Sequence, residues 1–346
     1  MKKFTIFPLI LIVALLVTSF LIFGCGGQQD SAEKKTSPAK KQYISIGTAK
    51  VGGTWYPIGA GIAEVLNKNV PGIQATAEET NGAVANVQLI NDGKSEVGLT
   101  MPSTAFESYT GQGNFKGKKN LLMAWFSIED VYQTTIVPKG SSINSATDIK
   151  GKRVGIGQPG SANFIDGKLW LEASGVSTND IKMLYMSQSE MSDALKNGQI
   201  DVFLWCTGYP SASIQEIALA RDMVFLPTSK EAIAEIQKKY PYYSLKSIPP
   251  GVYKGLDKEL PTMSYRRMVV ISEDLDEDTV YKMTKAIFGN INYLGSVHPI
   301  FKDLSLNNAL DSLSIPLHPG ALKYFKEKGV PGLDEFVKRT KEIRSK

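Results

Sequence analysis

Gly155, Gly157 and Gly160 stand at the spacing G-x-G-x-x-G in VGIGQPGSANFIDGKLW, after an apolar run and before a helix-like one. Glycines so placed can cradle a nucleotide pyrophosphate, or a smaller anion, at a helix N-terminus. A dinucleotide site also needs an acidic residue at the end of the next strand, ~20 residues on, for the ribose hydroxyls. That strand, IKMLYMSQS, ends in Ser187, Gln188 and Ser189, and Asp180 precedes it instead of ending it. The dinucleotide reading fails there. What remains is PGSAN, where Gly160, Ser161, Ala162 and Asn163 offer flexible backbone, free N–H groups and a hydroxyl to a carboxylate. A charge at a helix end contributes roughly 0.3–1 kcal/mol when exposed and up to about 2 when partly buried. Taken alone, Ser161 is better explained as the cap of its own helix.

Such turns recur. GGTWYP brings Thr54, Trp55 and Tyr56; TNGA brings Asn81, Gly82 and Ala83; MPST brings Ser103 and Thr104; CTGYP brings Thr207, Gly208 and Tyr209. Each sits at a strand end before a helix. Together they supply amides, hydroxyls and two aromatic rings, with no paired carboxylates, histidine cluster or nucleophile–base set. That is the lining of a binding cleft, so no enzyme activity, cofactor or metal is expected. His298 and His318 each precede a proline and make a weak metal pair. The turn around His318, PLHPGALKYF, reads as packing.

Between the turns the pattern is strand, turn, helix, repeated. YISIGTA alternates, and TWYPIGAGIAEVLNK places Ile58, Ile62, Val65 and Leu66 at helical spacing, with Thr54 as N-cap. IQATAEE and SEVGLTM read as strands, AVANVQLIN as a helix stopped at Gly93, and PSTAFESYTG as a helix start. After the long extended run LLMAWFSIEDVYQTTIVPKG the pattern restarts, through the strands of GKRVGIGQ, IKMLYMS, IDVFLWCTG and MVFLPT and the helices between them. SYRRMVVISED is a second extended run. EDTVYKMTKAIFGNINYL reads as one helix over 277–294, and the tail ends in another. Strands alternating with helices imply an α/β fold with a mostly parallel sheet flanked by helices. Two such units joined by two chain crossings give a double-crossover hinge, with the ligand at the strand ends between them.

The chain has 346 residues and a formal charge of +5, of which Lys2 and Lys3 carry two. That is too little charge for a nucleic-acid footprint, and no basic stripe with interleaved aromatics appears. Lys2 and Lys3 precede the apolar run FTIFPLILIVALLVTSFLIFG, an export signal or a membrane-spanning anchor. The run ends at Cys25 in a sequence that resembles a bacterial lipobox, which implies cleavage before Cys25 and lipidation of its sulfur. Residues 1–24 are then the signal peptide and 25–42 a flexible tether, rich in Gly, Gln, Lys and Ser. The alternative is an uncleaved helix with a buried thiol. The other cysteine, Cys206, has no partner and reads as a small core residue.

At the level of longer segments the sequence resembles the TAXI family, the extracytoplasmic solute-binding proteins of one branch of TRAP transporters. The segments that carry the resemblance are GTAKVGGTWYPIGAGIAEVLNK, TNGAVANVQLINDGKSEVGLT, DIKGKRVGIGQPGSAN, LKNGQIDVFLWCTGYP, YPYYSLKSIPPGVY and PLHPGALKYFKEKG, collinear from about residue 43 to the end. The resemblance implies a two-lobed type II periplasmic-binding-protein fold, with lobe 1 at 43–130 and 264–346 and lobe 2 at 131–263. It implies a receptor that delivers a small carboxylate, such as glutamate, glutamine or a related five-carbon dicarboxylate, to a TRAP-type permease run by an ion gradient; a monomer is expected. Trp55 and Tyr56 correspond to the family's aromatic pair, with Trp55 where Tyr is usual. Asn81 stands for a Gly, tolerating a left-handed turn, Ala83 for a Ser, and Ser103 for an Asp. Glu129, in SIED, matches a family acid near the crossover. These departures leave the ligand's amino group open. Of Arg153, Arg266 and Arg267, the first begins a strand, and the other two, as strand neighbours, point to opposite faces, so at most one meets the ligand.

The expected protein is an extracytoplasmic, lipid-anchored receptor that closes on its ligand. The alternatives are a ligand-sensing lipoprotein that signals to a membrane receptor, and a cleft enzyme acting on a small carboxylate.

Overall fold

The computed structural model describes residues 41–51, 55–117, 120–159 and 161–343. Three strand–helix units open the chain: β1 (Gln42–Gly47), α1 (Trp55–Asn69), β2 (Ile73–Glu78), α2 (Ala83–Asn91), β3 (Val97–Thr100) and α3 (Pro102–Tyr109). The long β4 (Leu122–Pro138) leads to β5 (Arg153–Ile156), α4 (Ala162–Ala173), β6 (Lys182–Tyr185), α5 (Gln188–Lys196), β7 (Val202–Thr207), α6 (Ala212–Ala220) and β8 (Met223–Leu226). Then come α7 (Lys230–Lys239), β9 (Ser244–Ile248), the long β10 (Leu260–Ser272), α8 (Glu277–Gly289), α9 (Ile291–Val297), α10 (Pro319–Glu327) and α11 (Leu333–Lys341). Among the described residues no helix is long and apolar enough to cross a membrane.

Local sequence explains most of these elements. The positions Ile58, Ile62, Val65 and Leu66 are all buried on one stripe of α1. At the end of α2, Gly93 takes φ 67°. Its N–H reaches the Ile90 carbonyl at 2.9 Å, and Lys94 N–H reaches Leu89 at 2.8 Å. This is the paired closure that a left-handed C-terminal residue permits. One expectation fails. The helix read over 277–294 breaks at Asn290, with φ −126° and ψ 27°, into α8 and α9. Gly289 is a poor helix former, and the Asn290 amide bonds back to the Ala286 carbonyl at 2.8 Å.

Strands β1, β2 and β3 pair in parallel, and so do β5, β6 and β7. The two extended runs do more than connect these groups. β4 and β10 lie side by side, antiparallel, in the order β2-β1-β3-β10-β4-β7-β5-β6, with β8 added on β4 and β9 on β10, so the ten strands among the described residues make one continuous sheet. Along β4 the pairing shifts: residues Leu122–Tyr132 pair with β10, Tyr132–Ile136 with β7 and Thr135–Pro138 with β8, so that Tyr132 pairs on both sides. Along β10, Leu260–Ser264 pair with β9 and Met268–Ile271 with β3.

The core runs along both faces. Trp125 and Trp170 are fully buried, and each indole N–H finds a threonine hydroxyl at 2.8 Å, Thr284 and Thr228 respectively. His318 is buried at the start of α10. Its Nδ1 accepts from Gly320 N–H at 3.2 Å and its Nε2 meets the Leu275 carbonyl at 2.9 Å, so it packs the C-terminal turn. Gly320 fixes the closest approach of α10 to α8. A Cβ there would run into the Glu277 carbonyl and come within 2.7 Å of the Tyr281 nitrogen. Gly320→Ala is expected to destabilise the fold by about 1–3 kcal/mol, measured by chemical denaturation. An unchanged midpoint would show that the two helices can part freely.

Candidate functional site

The partner changes in β4 and β10 bring Glu129 and Asp130 against Arg266 and Arg267. The β4–β10 register slips between Arg266 and Met268, and a bulge of this kind re-aims side chains. The two arginines separate. Arg266 donates to the Ile128 carbonyl and lies 3.5 Å from Asp130, which Lys246 also meets at 2.6 Å. Arg267 pairs with Glu129, and its guanidinium lies over the Trp55 ring, 5.2 Å from the centroid.

Arg267 also lines a cavity of about 1080 Å³, with Glu129, Asp130, Tyr132, Thr207, Gly208 and Tyr209 on the near wall. Gln188, Ser189, Asp193, Glu216 and the segment around His298 are among the rest of its lining. The Tyr209 ring packs edge-on against Tyr132, with centroids 4.7 Å apart. Arg267 is 7% exposed, and its Nε has no hydrogen-bond partner among the described residues. Burial pushes its guanidinium down to about 9, while the Glu129 carboxylate favours the charged form, so it remains a cation at neutral pH.

The turns named from the sequence contribute unequally. Glu129, Thr207, Gly208 and Tyr209 line the cavity, and Trp55 is the platform beneath Arg267. At the PGSAN turn, Ser161 caps α4 by accepting from Phe164 N–H at 3.2 Å. Asn163 accepts from Cys206 N–H at 2.8 Å, which ties α4 to β7, and Ala162 is buried. Ser161 Oγ and Asn163 Oδ1 are thus engaged inside the fold. At the TNGA turn the left-handed residue is Gly82, with φ 89°, and not Asn81, which is exposed; Ala83 is core. The glycine takes the conformation the turn needs, so the amide does not have to. Tyr56 is half-buried and does not line the cavity. Thr54, Gly160 and Cys25 lie outside the described residues. Cys206 is 2% exposed, and its thiol donates to Gln133 Oε1 at 3.0 Å.

Ser103 and Thr104 open a second region. Both are buried, and neither hydroxyl has a well-aligned partner among the described residues. Ser103 lines a smaller cavity of about 280 Å³ with Glu107, Phe164 and Tyr243. Beneath it lies Asp166, wholly buried, accepting from the hydroxyls of Tyr243 and Tyr265 at 2.6 Å each. Burial pushes its carboxyl up to about 6, against the opposing effect of those hydroxyls and of nearby Ser103. Sequence reasoning passed over Asp166, although a signal was there. It shares the buried stripe of α4 with Ala162 and Trp170, and a charge on an apolar stripe needs a reason.

Two strand–helix groups on a shared sheet, crossed by two long strands, with a polar cavity at the crossing, define the class: a periplasmic-binding-protein-like α/β fold. The chain belongs to the NMT1-like family, which residues 46–329 match. Among solved structures it is similar to XAC2383 from Xanthomonas citri. The ATP-bound form has a TM-score of 0.53 at 11% identity over 87% of this chain and 98% of that one. The chloride-bound form has a TM-score of 0.50 at 12% identity over 87% and 99%. The alkanesulfonate-binding protein SsuA from Xanthomonas axonopodis pv. citri, bound to MOPS, has a TM-score of 0.45 at 18% identity over 88% and 85%. At these identities the likeness is one of fold.

Proposed function

We propose that the protein is an extracytoplasmic solute-binding receptor that holds one small carboxylate against Arg267 in the large cavity. The observation that carries this reading is Arg267 itself: it lines the cavity, is buried and paired with a carboxylate, and its Nε has no hydrogen-bond partner among the described residues. A planar guanidinium grips a carboxylate with two parallel N–H bonds, which gives both energy and orientation. On this reading the ligand's carboxylate displaces Glu129 from Arg267, and Glu129 and Asp130 then face the rest of the ligand. Asp130 is already held by Lys246 and Arg266, but a released Glu129 favours an ammonium there, so glutamate or glutamine ranks above a keto dicarboxylate.

The lobes are 43–130 with 264–346, and 131–263, hinged where β4 and β10 change partners. A ligand that touches both lobes stabilises the closed form by that difference in affinity. The six collinear TAXI-like segments support a TRAP-type permease as the partner. Titration calorimetry with L-glutamate, L-glutamine, 2-oxoglutarate, an alkanesulfonate and ATP tests the ligand class. One-to-one heat with a carboxylate is expected, and binding of the sulfonate or ATP alone would overturn it. Uptake into proteoliposomes driven by an ion gradient without ATP tests the partner.

The anchor is the lipidated Cys25. In a wild-type membrane fraction, intact mass is expected to show a chain beginning at Cys25 and carrying acyl groups. Cys25→Ser should leave an unacylated precursor. A wild-type chain that still begins at Met1 would mean that the apolar segment stays in place as the anchor.

A further inference from the structure

The Asp166 cluster ties together elements on both sides of the crossing. Tyr265, on β10, donates to Asp166 Oδ2 at 2.6 Å, and its hydroxyl lies 3.4 Å from Met101 Sδ at the start of α3. Tyr243 donates to Asp166 Oδ1 from the segment before β9. Ser103, on α3, faces the same carboxyl group. Every one of these residues is at most 5% exposed.

Titratable groups face Asp166 from each side. Glu107 comes from α3, Cys206 from β7, Tyr242 and Tyr243 from the segment before β9, and Tyr265 from β10. None of them carries a positive charge. Lys239 acts on Glu107, not on Asp166. Among the described residues, an ionised Asp166 in the packed state is therefore a buried carboxylate without a counter-ion, which costs several kcal/mol. As a neutral acid it has an O–H to donate, and Ser103 Oγ beside it is a buried oxygen without a well-aligned partner.

We propose that Asp166 takes up a solvent proton as the two lobes close, and that the neutral carboxyl, held by Tyr243 and Tyr265 and donating to Ser103, latches α4 to α3. The proton adds to one carboxylate oxygen; no other bond forms or breaks. The proposal rests on the reading that the lobes open and close. Its sign follows from burial. The carboxyl of the packed state is raised to about 6 from an ordinary 3.8. Closure is therefore favoured fully below the ordinary value, and the contribution is lost as pH rises through about 6. Between those limits the closed-to-open ratio should change about tenfold per pH unit.

Small-angle scattering of the ligand-free mature protein from pH 5 to pH 8 tests the latch. The wild type is expected to compact as pH falls, with the change centred at or below about pH 6. Asp166→Asn, neutral at every pH, should be as compact at pH 8 as the wild type is at pH 5. Glu107→Gln and His298→Asn should leave the transition in place. Tyr265→Phe removes a donor that favours the charged carboxylate, so it should move the transition to higher pH. This variant decides the matter if Asp166→Asn does not fold. A flat wild-type profile, a transition that persists in Asp166→Asn, one abolished by Glu107→Gln or His298→Asn, or an unmoved midpoint in Tyr265→Phe would each overturn the proposal. No solute enters the experiment. A flat profile with intact carboxylate binding sinks the latch alone, and a pH-linked compaction without carboxylate binding sinks the receptor reading alone.

Discussion

Arg267→Ala is expected to weaken solute binding by about 30-fold or more and to destabilise the protein by about 3–5 kcal/mol. Both effects come from the same geometry. The Arg267 and Glu129 side chains are only 8% and 14% exposed. Removing one partner of a buried pair leaves the other as an uncompensated charge, and that accounts for the stability loss. The binding loss is separate. Truncating one side of a desolvated, hydrogen-bonded charge pair costs about 2–5 kcal/mol, or roughly 30-fold to several thousand-fold in affinity. The two effects can be parted. In Arg267→Met combined with Glu129→Leu no charge is left over, so stability should recover to within about 1–2 kcal/mol of wild type, because apolar replacement of a buried pair is often neutral. Binding should not recover. Arg267→Lys keeps the charge but loses the planar fork, and should fall between. Denaturant titration gives the first quantity and calorimetry the second. Full affinity in Arg267→Ala would move the ligand elsewhere.

Gly208→Leu should block the cavity while leaving the fold intact. Gly208 lies in the β7–α6 turn and is not among the residues with positive φ, so a side chain meets no backbone strain. A Cβ there would stand 3.4 Å from Glu129 Oε2 and 3.7 Å from the Asp130 carbonyl, ordinary contact distances. Alanine should therefore be tolerated with little change. The longer leucine must extend over Glu129 into the space that the ligand's carboxylate needs. Affinity is expected to fall by about 100-fold or more, with stability within about 1 kcal/mol of wild type, since overpacking penalties belong to filled cores and not to open cavities. A leucine variant that binds as well as wild type would show that the ligand does not approach Glu129 at all. Paired with the arginine series, this separates a steric test of the site from an electrostatic one.

Much of the fold was legible because local rules agree with the tertiary arrangement. The buried stripe of α1, the glycine closure of α2 and the two extended runs all follow from spacing and turn chemistry. What escaped were α7, β9 and α11, together with the continuity of the sheet through β4 and β10. Helices α7 and α11 carry short apolar stripes that become meaningful only against a neighbour. Sheet continuity is a pairing between residues more than 100 positions apart, which no local pattern encodes. The site divides in the same way. The β7 turn, Trp55 and Glu129 were marked by their place before or after an element. The choice between Arg266 and Arg267 was not, because strand alternation says only that neighbours diverge, and the register slip beside them is a property of the pairing. Ser161 and Asn163 also serve the fold through their acceptor oxygens, one as a cap and one as a bridge to β7, which no local pattern distinguishes from a ligand role.

The most direct test is a crystal structure of the protein together with the small molecule it retains from the cell. The receptor reading predicts one small acid in the large cavity, a carboxylate oxygen within hydrogen-bond distance of Arg267 Nε, and Glu129 turned away from the guanidinium. A retained molecule bound elsewhere, or one seated in the cavity with the Arg267–Glu129 pair undisturbed, would contradict it.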